Sequence, residues 1–178
     1  MSDRNAIFLD RDGIFDELVY WGGGLSAPRS WPEVHFYPGL EDLAELKKLG
    51  YLLILITNQP DIERNIIEKR FVNDLNQTLK DRFDLDAVYV CPFSSDEHPL
   101  KKPNPGMLLA AQRDFSIIMK NSYFVGDTDK DILAARRAGC HSIIWDRPYN
   151  RDFIADSRVS SVKEIVKLTQ NLKNIKTL

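Results

Sequence analysis

Two aspartates separated by one residue, Asp10 and Asp12, form the feature of this sequence with the clearest chemical meaning. They follow an apolar run at residues 6–9 and are followed by Gly13. A short apolar run closed by a turn signal predicts a buried strand of a parallel sheet, and open α/β sheets bind ligands where such strands end. Two carboxylates this close stay ionised together only when a cation or a proton lies between them. Mg²⁺ fits because it is a hard cation that takes oxygen ligands; the alternative is a solvated acidic turn.

Polar side chains also follow three other predicted strands. Apolar runs at residues 51–56, 87–90 and 123–125 indicate these strands. Because the carboxyl ends of parallel strands meet at one edge of a sheet, the polar residues beyond them are expected to lie together. The set is Asp10, Asp12, Thr57, Asn58, Lys101, Lys102, Asp127 and Asp131. Phosphoryl transfer needs such a set, since one carboxylate attacks phosphorus, a second moves the proton, and a metal ion and a lysine neutralise charge.

The elements that must position these residues alternate between strands and helices. A fifth strand is predicted at residues 142–145. Helices are predicted from about Gly39 to Leu49, from the residues that follow Pro60 and Asp61 to Phe83, and over residues 105–113, 129–138 and 162–172. This alternation predicts an α/β fold with a mostly parallel sheet and helices on both faces. With 178 residues, one domain covering residues 1–178 is expected.

Residues 14–38 differ from the rest of the chain. They contain aromatic residues such as Tyr20 and Trp31, three consecutive glycines and three prolines. Long loops in compact domains are functional or disordered, and the aromatic content argues against disorder. We interpret the segment as a small flap over the edge where Asp10 lies, with Arg29 as a substrate contact. A loop packed flat on the surface is the alternative.

Composition limits the partners and the compartment. A net charge of −2 gives no basic footprint for nucleic acid, so a small phosphorylated metabolite is the expected partner. Two cysteines, Cys91 and Cys140, are too few for a disulfide framework and favour the cytoplasm. The sequence shows neither a signal-peptide pattern nor an apolar run of about 20 residues, so no membrane association is expected. A monomer is expected because no oligomerising element is evident.

Four ordered segments resemble the haloacid dehalogenase (HAD) superfamily of phosphohydrolases, covering most of residues 6–145. They are residues 8–13 (FLDRDG), 56–59 (ITNQ), 102–107 (KPNPGM) and 125–131 (VGDTDKD). The chain is most similar to subfamily IIIA, which has little or no cap domain and includes heptose 1,7-bisphosphate and histidinol-phosphate phosphatases. The resemblance implies a three-layer Rossmann-like fold without a large cap and a Mg²⁺-dependent phosphomonoesterase that works through an aspartyl-phosphate.

The resemblance also implies a role for each matching residue. Asp10 is the nucleophile, and Asp12 is the general acid and then the base. Thr57 donates to the phosphoryl group, and Lys102 holds Asp10 and the phosphoryl oxygens. The metal set is Asp10, Asp12 through its carbonyl, Asp127 and Asp131, and the substrate set is Asn58, Lys101 and Arg29.

Two departures from the family pattern concern the loop before Lys102. The heptose bisphosphate phosphatases bind a structural zinc there with Cys-x-His and Cys-x-Cys pairs. Here Cys91 keeps the first position, Phe93 replaces the histidine and His98 is displaced, so no structural zinc is expected. Lys101 stands where relatives often carry arginine, and lysine lacks the bidentate fork for phosphate. The choice between a sugar monophosphate and a bisphosphate therefore stays open, as do histidinol phosphate, a nucleic-acid 3′-phosphate and a non-catalytic phosphate-binding module.

Overall fold

The structure, a computed structural model, describes the backbone of residues 4–175 and the side chains of residues 4–170. The strands are β1 (Asn5–Leu9), β2 (Val19–Trp21), β3 (Gly24–Ser26), β4 (Tyr51–Asn58), β5 (Ala87–Cys91), β6 (Tyr123–Gly126), β7 (His141–Trp145) and β8 (Ser157–Val159). The helices are α1 (Leu43–Lys48), α2 (Lys69–Arg82), α3 (Gly106–Phe115), α4 (Asp129–Ala138) and α5 (Val162–Ile175). Residues 1–3 and 176–178 of the predicted single domain lie outside the described residues.

Six strands form one parallel sheet in the order β5-β4-β1-β6-β7-β8. The chain builds outward from β1 through β4 and β5, then returns to the other side of β1 with β6. Leu9 at the end of β1 therefore pairs with Leu55 on one side and Val125 on the other. Reversals of this kind open a crevice at the carboxyl ends of the two strands. The predicted α/β fold with a parallel sheet is confirmed.

Successive side chains along the central strands pack alternately into two separate hydrophobic cores, one on each face of the sheet. Ile7 and Leu9 of β1 point into one core with buried residues of α1, α2 and α5. Ala6 and Phe8 point into the other core, with buried residues of α3 and α4. Because side chains alternate along a strand, a strand that is apolar at every position must be covered on both faces. The three-layer arrangement follows, and it fixes the strand ends that carry the polar residues.

Two of the predicted helix starts were wrong. The helix predicted near Gly39 begins as a short 3₁₀ turn at Leu40–Asp42 and becomes helical at α1. The helix predicted to follow Pro60 and Asp61 begins only at α2, and the residues before it form turns. Asn65 adopts a left-handed conformation with φ of 55°, which a right-handed helix cannot contain. The turns leave the side chains of residues 59–64 beside the strand ends rather than on a helix surface.

Two small sheet elements were also missed. Strand β8 adds a sixth strand through the pairing of Ile144 with Arg158, but three residues are too few to give a periodic pattern. Residues 14–38, predicted to be a loop, contain the antiparallel hairpin of β2 and β3, in which Tyr20 pairs with Leu25. Among the described residues, none of the helices combines the length and the apolar character needed to cross a bilayer.

Candidate active site

A buried lysine between two carboxylates lies at the carboxyl edge of the sheet. The Lys102 Nζ atom is 2.7 Å from Asp10 Oδ1 and 2.7 Å from Asp131 Oδ1. It also donates to the Ile56 carbonyl at 3.2 Å, so its three protons all have acceptors. Carboxylate oxygens of Asp10, Asp127 and Asp131 lie within 4.8 Å of one another. The residues that follow β1 and β6, one residue of α4 and one of the loop after β5 thus meet at one point, as the sequence predicted.

The position of Lys102 is fixed through its own backbone by Asn58 at the end of β4. Asn58 Nδ2 donates to the Lys102 carbonyl at 3.0 Å, and the Lys102 N–H donates to Asn58 Oδ1 at 3.0 Å. A side-chain amide has one donor end and one acceptor end, so it pairs with a peptide group in this way. Asn58 was expected to contact substrate, but both ends of its side chain bind this backbone instead. Its role as a substrate contact stays a prediction.

Burial and mutual repulsion set the protonation of this cluster. Burial raises the pKa of Asp10 well above its usual value, against the opposing effect of Lys102. Burial and the neighbouring Asp131 raise the pKa of Asp127 to about 7. Burial lowers the pKa of Lys102, but the carboxylates of Asp10 and Asp131 raise it above its ordinary value overall. The cluster therefore holds more negative charge than one lysine balances, which favours uptake of a cation or a proton.

Asp12 is held by two residues that sequence reasoning missed. Its Oδ1 accepts from Arg11 Nε at 3.0 Å and from Arg11 Nη2 at 2.8 Å, and its Oδ2 accepts from Gln59 Nε2 at 2.7 Å. Arg11 is fully buried and also donates to Asn76 of α2 at 3.2 Å. A buried arginine must be paired, so the arginine between the two aspartates was the sequence feature that could have indicated the contact with Asp12. Arg11 and Gln59 together fix the carboxylate of Asp12 at the cavity wall.

Thr57 is fully buried at the end of β4 beside the same glutamine. Its Oγ1 accepts from Gln59 Nε2 at 2.9 Å. That contact uses an oxygen lone pair, so it leaves the hydroxyl proton for a bond to another acceptor. The predicted donation from Thr57 to a phosphoryl oxygen is compatible with this contact and stays a prediction.

Asp131 lies in the first turn of α4 and uses both of its carboxylate oxygens. One oxygen accepts from Lys102, and the other accepts from the Thr128 N–H at 3.0 Å and the Thr128 hydroxyl at 2.6 Å. The second set of contacts forms a capping box at the helix start. A Cβ atom at Gly126 would lie 2.3 Å from Asp131 Cβ, so only glycine allows this approach of α4 to β6. Asp131 therefore orients Lys102 in addition to its predicted place near the metal.

Asp127 follows β6 and is held by the loop after β7. The Asn150 side chain donates to the Asp127 carbonyl at 2.8 Å, and the Tyr149 hydroxyl donates to Asp127 Oδ2. Asp127 Oδ1 is buried and has no hydrogen-bond partner among the described residues. Gly13, at φ of 84°, faces this carboxylate, and a Cβ there would lie 2.2 Å from Asp127 Oδ2. Tyr149 and Asn150 belong to no motif and could not be found from spacing.

A cavity of about 440 Å³ opens beside Asp10 and Asp12 and extends under the 14–38 segment, where Leu25, Pro28 and Arg29 line it. A second cavity of about 320 Å³ shares Asp10 and Asp12 and is lined by Lys101, Lys102 and Lys130. Both cavities are also lined by Asn58, Pro60, Arg64 and Thr128. Asp10 and Asp12 therefore lie where the two cavities meet, and one cavity is partly apolar whereas the other is lined by lysines.

The remaining predicted substrate residues, Arg29 and Lys101, are engaged in ion pairs at the rim, and so is Arg64. Arg29 Nη2 is 2.9 Å from Asp61 Oδ2, and Arg64 Nη1 is 3.2 Å from Asp61 Oδ1. Lys101 Nζ is 2.7 Å from Asp96 Oδ1 and donates to the Ser94 carbonyl. The side chains of Arg64 and Asp96 are exposed, whereas Lys101 is buried and the pair of Arg29 with Asp61 is partly buried. The roles of Arg29 and Lys101 as substrate contacts stay predictions.

The loop after β5 is held by hydrogen bonds and ring stacking. Asn104 Nδ2 donates to the carbonyls of Asp96 and His98, both at 3.0 Å. The rings of Phe93 and His98 stack with centroids 3.9 Å apart. Across the part of the chain that the structure describes, Asp10, Asp127 and Asp131 are the one group of three or more candidate metal ligands. The expectation that this loop lacks a structural zinc stays a prediction.

The fold and the meeting of the four motifs define the class of a HAD-like hydrolase. Residues 99–147 match a family model described as HAD-hydrolase-like. The fold is also that of a crystal structure of D,D-heptose 1,7-bisphosphate phosphatase from B. bronchiseptica, complexed with magnesium and phosphate. That structure has a TM-score of 0.80 at 23% identity and covers 96% of this chain and 99% of that chain.

Curated relatives narrow the class from hydrolases to phosphatases. A D-glycero-beta-D-manno-heptose-1,7-bisphosphate 7-phosphatase of Photorhabdus laumondii is 40% identical over 147 residues, covering 75% of each chain. A D-glycero-alpha-D-manno-heptose-1,7-bisphosphate 7-phosphatase of Burkholderia mallei is 35% identical over 181 residues, covering 89% of each chain. The chain belongs to the HAD-like phosphatase family that includes these enzymes. It is a phosphatase, which sets aside the alternative of a non-catalytic phosphate-binding module.

Proposed function

We propose that the protein is a Mg²⁺-dependent phosphomonoesterase that hydrolyses a phosphorylated sugar, with a heptose 1,7-bisphosphate as the favoured substrate. The observation that carries the proposal is the buried Lys102, which joins Asp10 and Asp131 and lines the basic cavity together with Asp10 and Asp12. The substrate comes from the names of the relatives at 35–40% identity. Fold alone does not select a substrate, so the shape and charge of the cavity must be consistent with it.

The chemistry proceeds in two displacements at phosphorus. A carboxylate oxygen of Asp10 attacks the phosphorus atom, and the bond from phosphorus to the sugar oxygen breaks as Asp12 gives that oxygen a proton. Asp12 then takes a proton from water, whose oxygen attacks the aspartyl-phosphate and releases phosphate and the Asp10 carboxylate. Lys102 keeps Asp10 close to the phosphorus and offers positive charge to the phosphoryl oxygens. The contacts of Arg11 and Gln59 hold the Asp12 carboxylate in position for both proton transfers.

The acidic cluster fits a magnesium ion. Its donors are carboxylate oxygens within 4.8 Å of one another, and the Asp127 Oδ1 atom is buried without a partner among the described residues. Asp10, Asp127 and the Asp12 carbonyl would hold the ion, with Asp131 supporting them. When bound, Mg²⁺ supplies positive charge to the phosphoryl oxygens. The related fold solved with magnesium and phosphate supports this assignment.

The rim of the cavities carries more positive than negative charge. Its cationic side chains are Arg29, Arg64, Lys101 and Lys130. Their carboxylate partners are Asp61 and Asp96. An excess of cations away from the nucleophile favours a substrate with a second anionic group, as in a bisphosphate. Arg64 lines both cavities and its side chain is half exposed, so it is the best placed of these residues to meet that group.

Substitution of Arg64 by glutamine tests the choice of a bisphosphate. A charge-assisted hydrogen bond contributes about 1.5–3 kcal/mol, so KM for a sugar bisphosphate is expected to rise about tenfold or more in Arg64→Gln. KM for the corresponding monophosphate should change less than about twofold, because a monophosphate has no second anionic group for Arg64 to bind. Steady-state phosphate release measures both values.

Arg70→Gln is the matched control for this experiment. Arg70 lies on α2, is highly exposed and pairs only weakly with Asp74, with 3.6 Å between Arg70 Nε and Asp74 Oδ2. Its substitution should leave both KM values unchanged. If Arg64→Gln raises the two KM values equally, Arg64 does not bind the second anionic group and the preference for a bisphosphate loses its support.

The location and assembly of the protein belong to the same proposal. We place it in the cytoplasm as a monomer that acts on a small metabolite and not on nucleic acid. We also propose that residues 14–38 act as a flap, since Leu25, Pro28 and Arg29 line the cavity that contains Asp10.

A further inference from the structure

The segment that follows β7, outside all four motifs, reaches back to the catalytic residues. Arg147 Nη2 donates to the Gly13 carbonyl at 2.6 Å, and Arg147 Nε donates to the same oxygen at 3.0 Å. Asn150 Nδ2 donates to the carbonyls of Asp127 and Trp145, at 2.8 and 2.9 Å. The Tyr149 hydroxyl donates to Asp127 Oδ2. Three nearly consecutive side chains thus bind the residues that follow β1 and β6.

Asp127 is fixed at two points by these contacts. Asn150 holds its backbone carbonyl and Tyr149 holds one of its carboxylate oxygens. The terminal torsion of an aspartate is broad, so an unsupported carboxylate can turn either oxygen toward a ligand. With Oδ2 bound to the tyrosine, Oδ1 is left as the oxygen that is buried and without a partner among the described residues.

The residues around Tyr149 leave room for its hydrogen bond to Asp127 and hold its loop in place. A Cβ atom at Gly13 would lie 2.2 Å from Asp127 Oδ2 and 3.1 Å from the Tyr149 hydroxyl oxygen, so this bond fits only because position 13 is glycine. Arg147 is anchored both to the Gly13 carbonyl and over the ring of Tyr37, at 3.8 Å from its centroid. The loop that carries Tyr149 is therefore tied to the residues after Asp12.

We propose that Tyr149 is a positioning residue for the metal site, whose hydroxyl holds the Asp127 carboxylate so that Oδ1 is presented to Mg²⁺. The proposal rests on the magnesium site of the proposed function. Partners that orient metal ligands typically contribute about 10–100-fold in metal affinity. Tyr149→Phe keeps the ring and removes only the hydroxyl, so it should weaken Mg²⁺ binding by about tenfold or more, while kcat at saturating Mg²⁺ stays within about twofold of the wild-type value.

The experiment is isothermal titration of metal-free protein with MgCl₂, followed by phosphate release as a function of Mg²⁺ concentration. Tyr89→Phe is the matched control, because the Tyr89 hydroxyl also donates to an aspartate, Asp114 Oδ2 at 2.6 Å, on the exposed surface. The expected result is a higher Mg²⁺ dissociation constant in Tyr149→Phe alone, with turnover restored by added Mg²⁺.

Three results would overturn the inference. They are an unchanged Mg²⁺ dissociation constant in Tyr149→Phe, an equal change in Tyr89→Phe, and the absence of Mg²⁺ binding by the wild-type protein. A loss of kcat that excess Mg²⁺ does not restore, at an unchanged dissociation constant, would assign Tyr149 to the substrate instead. If the wild-type protein releases no phosphate but the titration differs as expected, the proposed function fails and the role of Tyr149 stands.

Discussion

Replacement of Asp10 by asparagine is expected to abolish phosphate release and to leave the fold intact. The amide is a poor nucleophile, so no aspartyl-phosphate forms, and turnover should fall by at least about a thousandfold. The fold should survive because Lys102 keeps its second carboxylate partner, Asp131, at 2.7 Å. Steady-state phosphate release and thermal unfolding measure the two effects on the same sample.

Asp152→Asn is the matched control, since Asp152 is an exposed aspartate beyond β7. Its activity and unfolding temperature should equal those of the wild-type protein. Asp10→Ala is a second variant that cannot revert, whereas slow deamidation of the asparagine would regenerate aspartate and restore activity. Retention of a tenth of the wild-type activity in Asp10→Ala, with the fold intact, is incompatible with Asp10 as the nucleophile.

Replacement of Lys102 by methionine is expected to damage stability as well as turnover. The ammonium is buried between Asp10 and Asp131, and its removal leaves two carboxylates uncompensated beside Asp127. Loss of one partner of a buried ion pair costs about 3–5 kcal/mol in the free energy of unfolding. Turnover should fall by about a hundredfold or more, because in the proposed mechanism Lys102 offers positive charge to the phosphoryl oxygens. Urea unfolding of metal-free protein gives the first quantity and phosphate release the second.

The neighbouring lysine provides the control. Lys101 is also buried, but its partner Asp96 has a side chain that is 79% exposed, so Lys101→Met leaves no buried carboxylate without a cation and should cost no more than about 1 kcal/mol. If Lys102→Met and Lys101→Met lose equal free energy of unfolding, the ion pairs of Lys102 with Asp10 and Asp131 do not stabilise the fold.

The sequence predicted which residues meet because a parallel sheet imposes that geometry. Once the apolar runs before Asp10 and Asp127 are interpreted as strands of one parallel sheet, their ends must share an edge. Lys102 was placed at the same edge because it follows a predicted strand, whereas its contact with Asp10 was implied by the family motif. The helix start before α2 was wrong because the left-handed backbone at Asn65 depends on local turn contacts that apolar spacing does not reveal.

The partners that orient the site could not be predicted. The contacts of Asp12 with Gln59 and of Asp127 with Tyr149 depend on loop conformation, and a single residue type does not show where its side chain points. Asn58 illustrates the same limit, since its position at the end of β4 suggested a substrate contact but did not reveal that its amide binds the Lys102 backbone. Motif spacing predicts candidate reacting groups, whereas the residues that hold them become visible only in the folded chain.

The most direct test of the proposed function is phosphate release from a heptose 1,7-bisphosphate, followed by ³¹P NMR with Mg²⁺ and then with EDTA. The account predicts that one of the two ester phosphates is released with Mg²⁺, that the other is retained, and that EDTA stops the reaction because the carboxylates of Asp10 and Asp127 lose their cation. Absence of phosphate release with Mg²⁺, or equal release in EDTA, would contradict it.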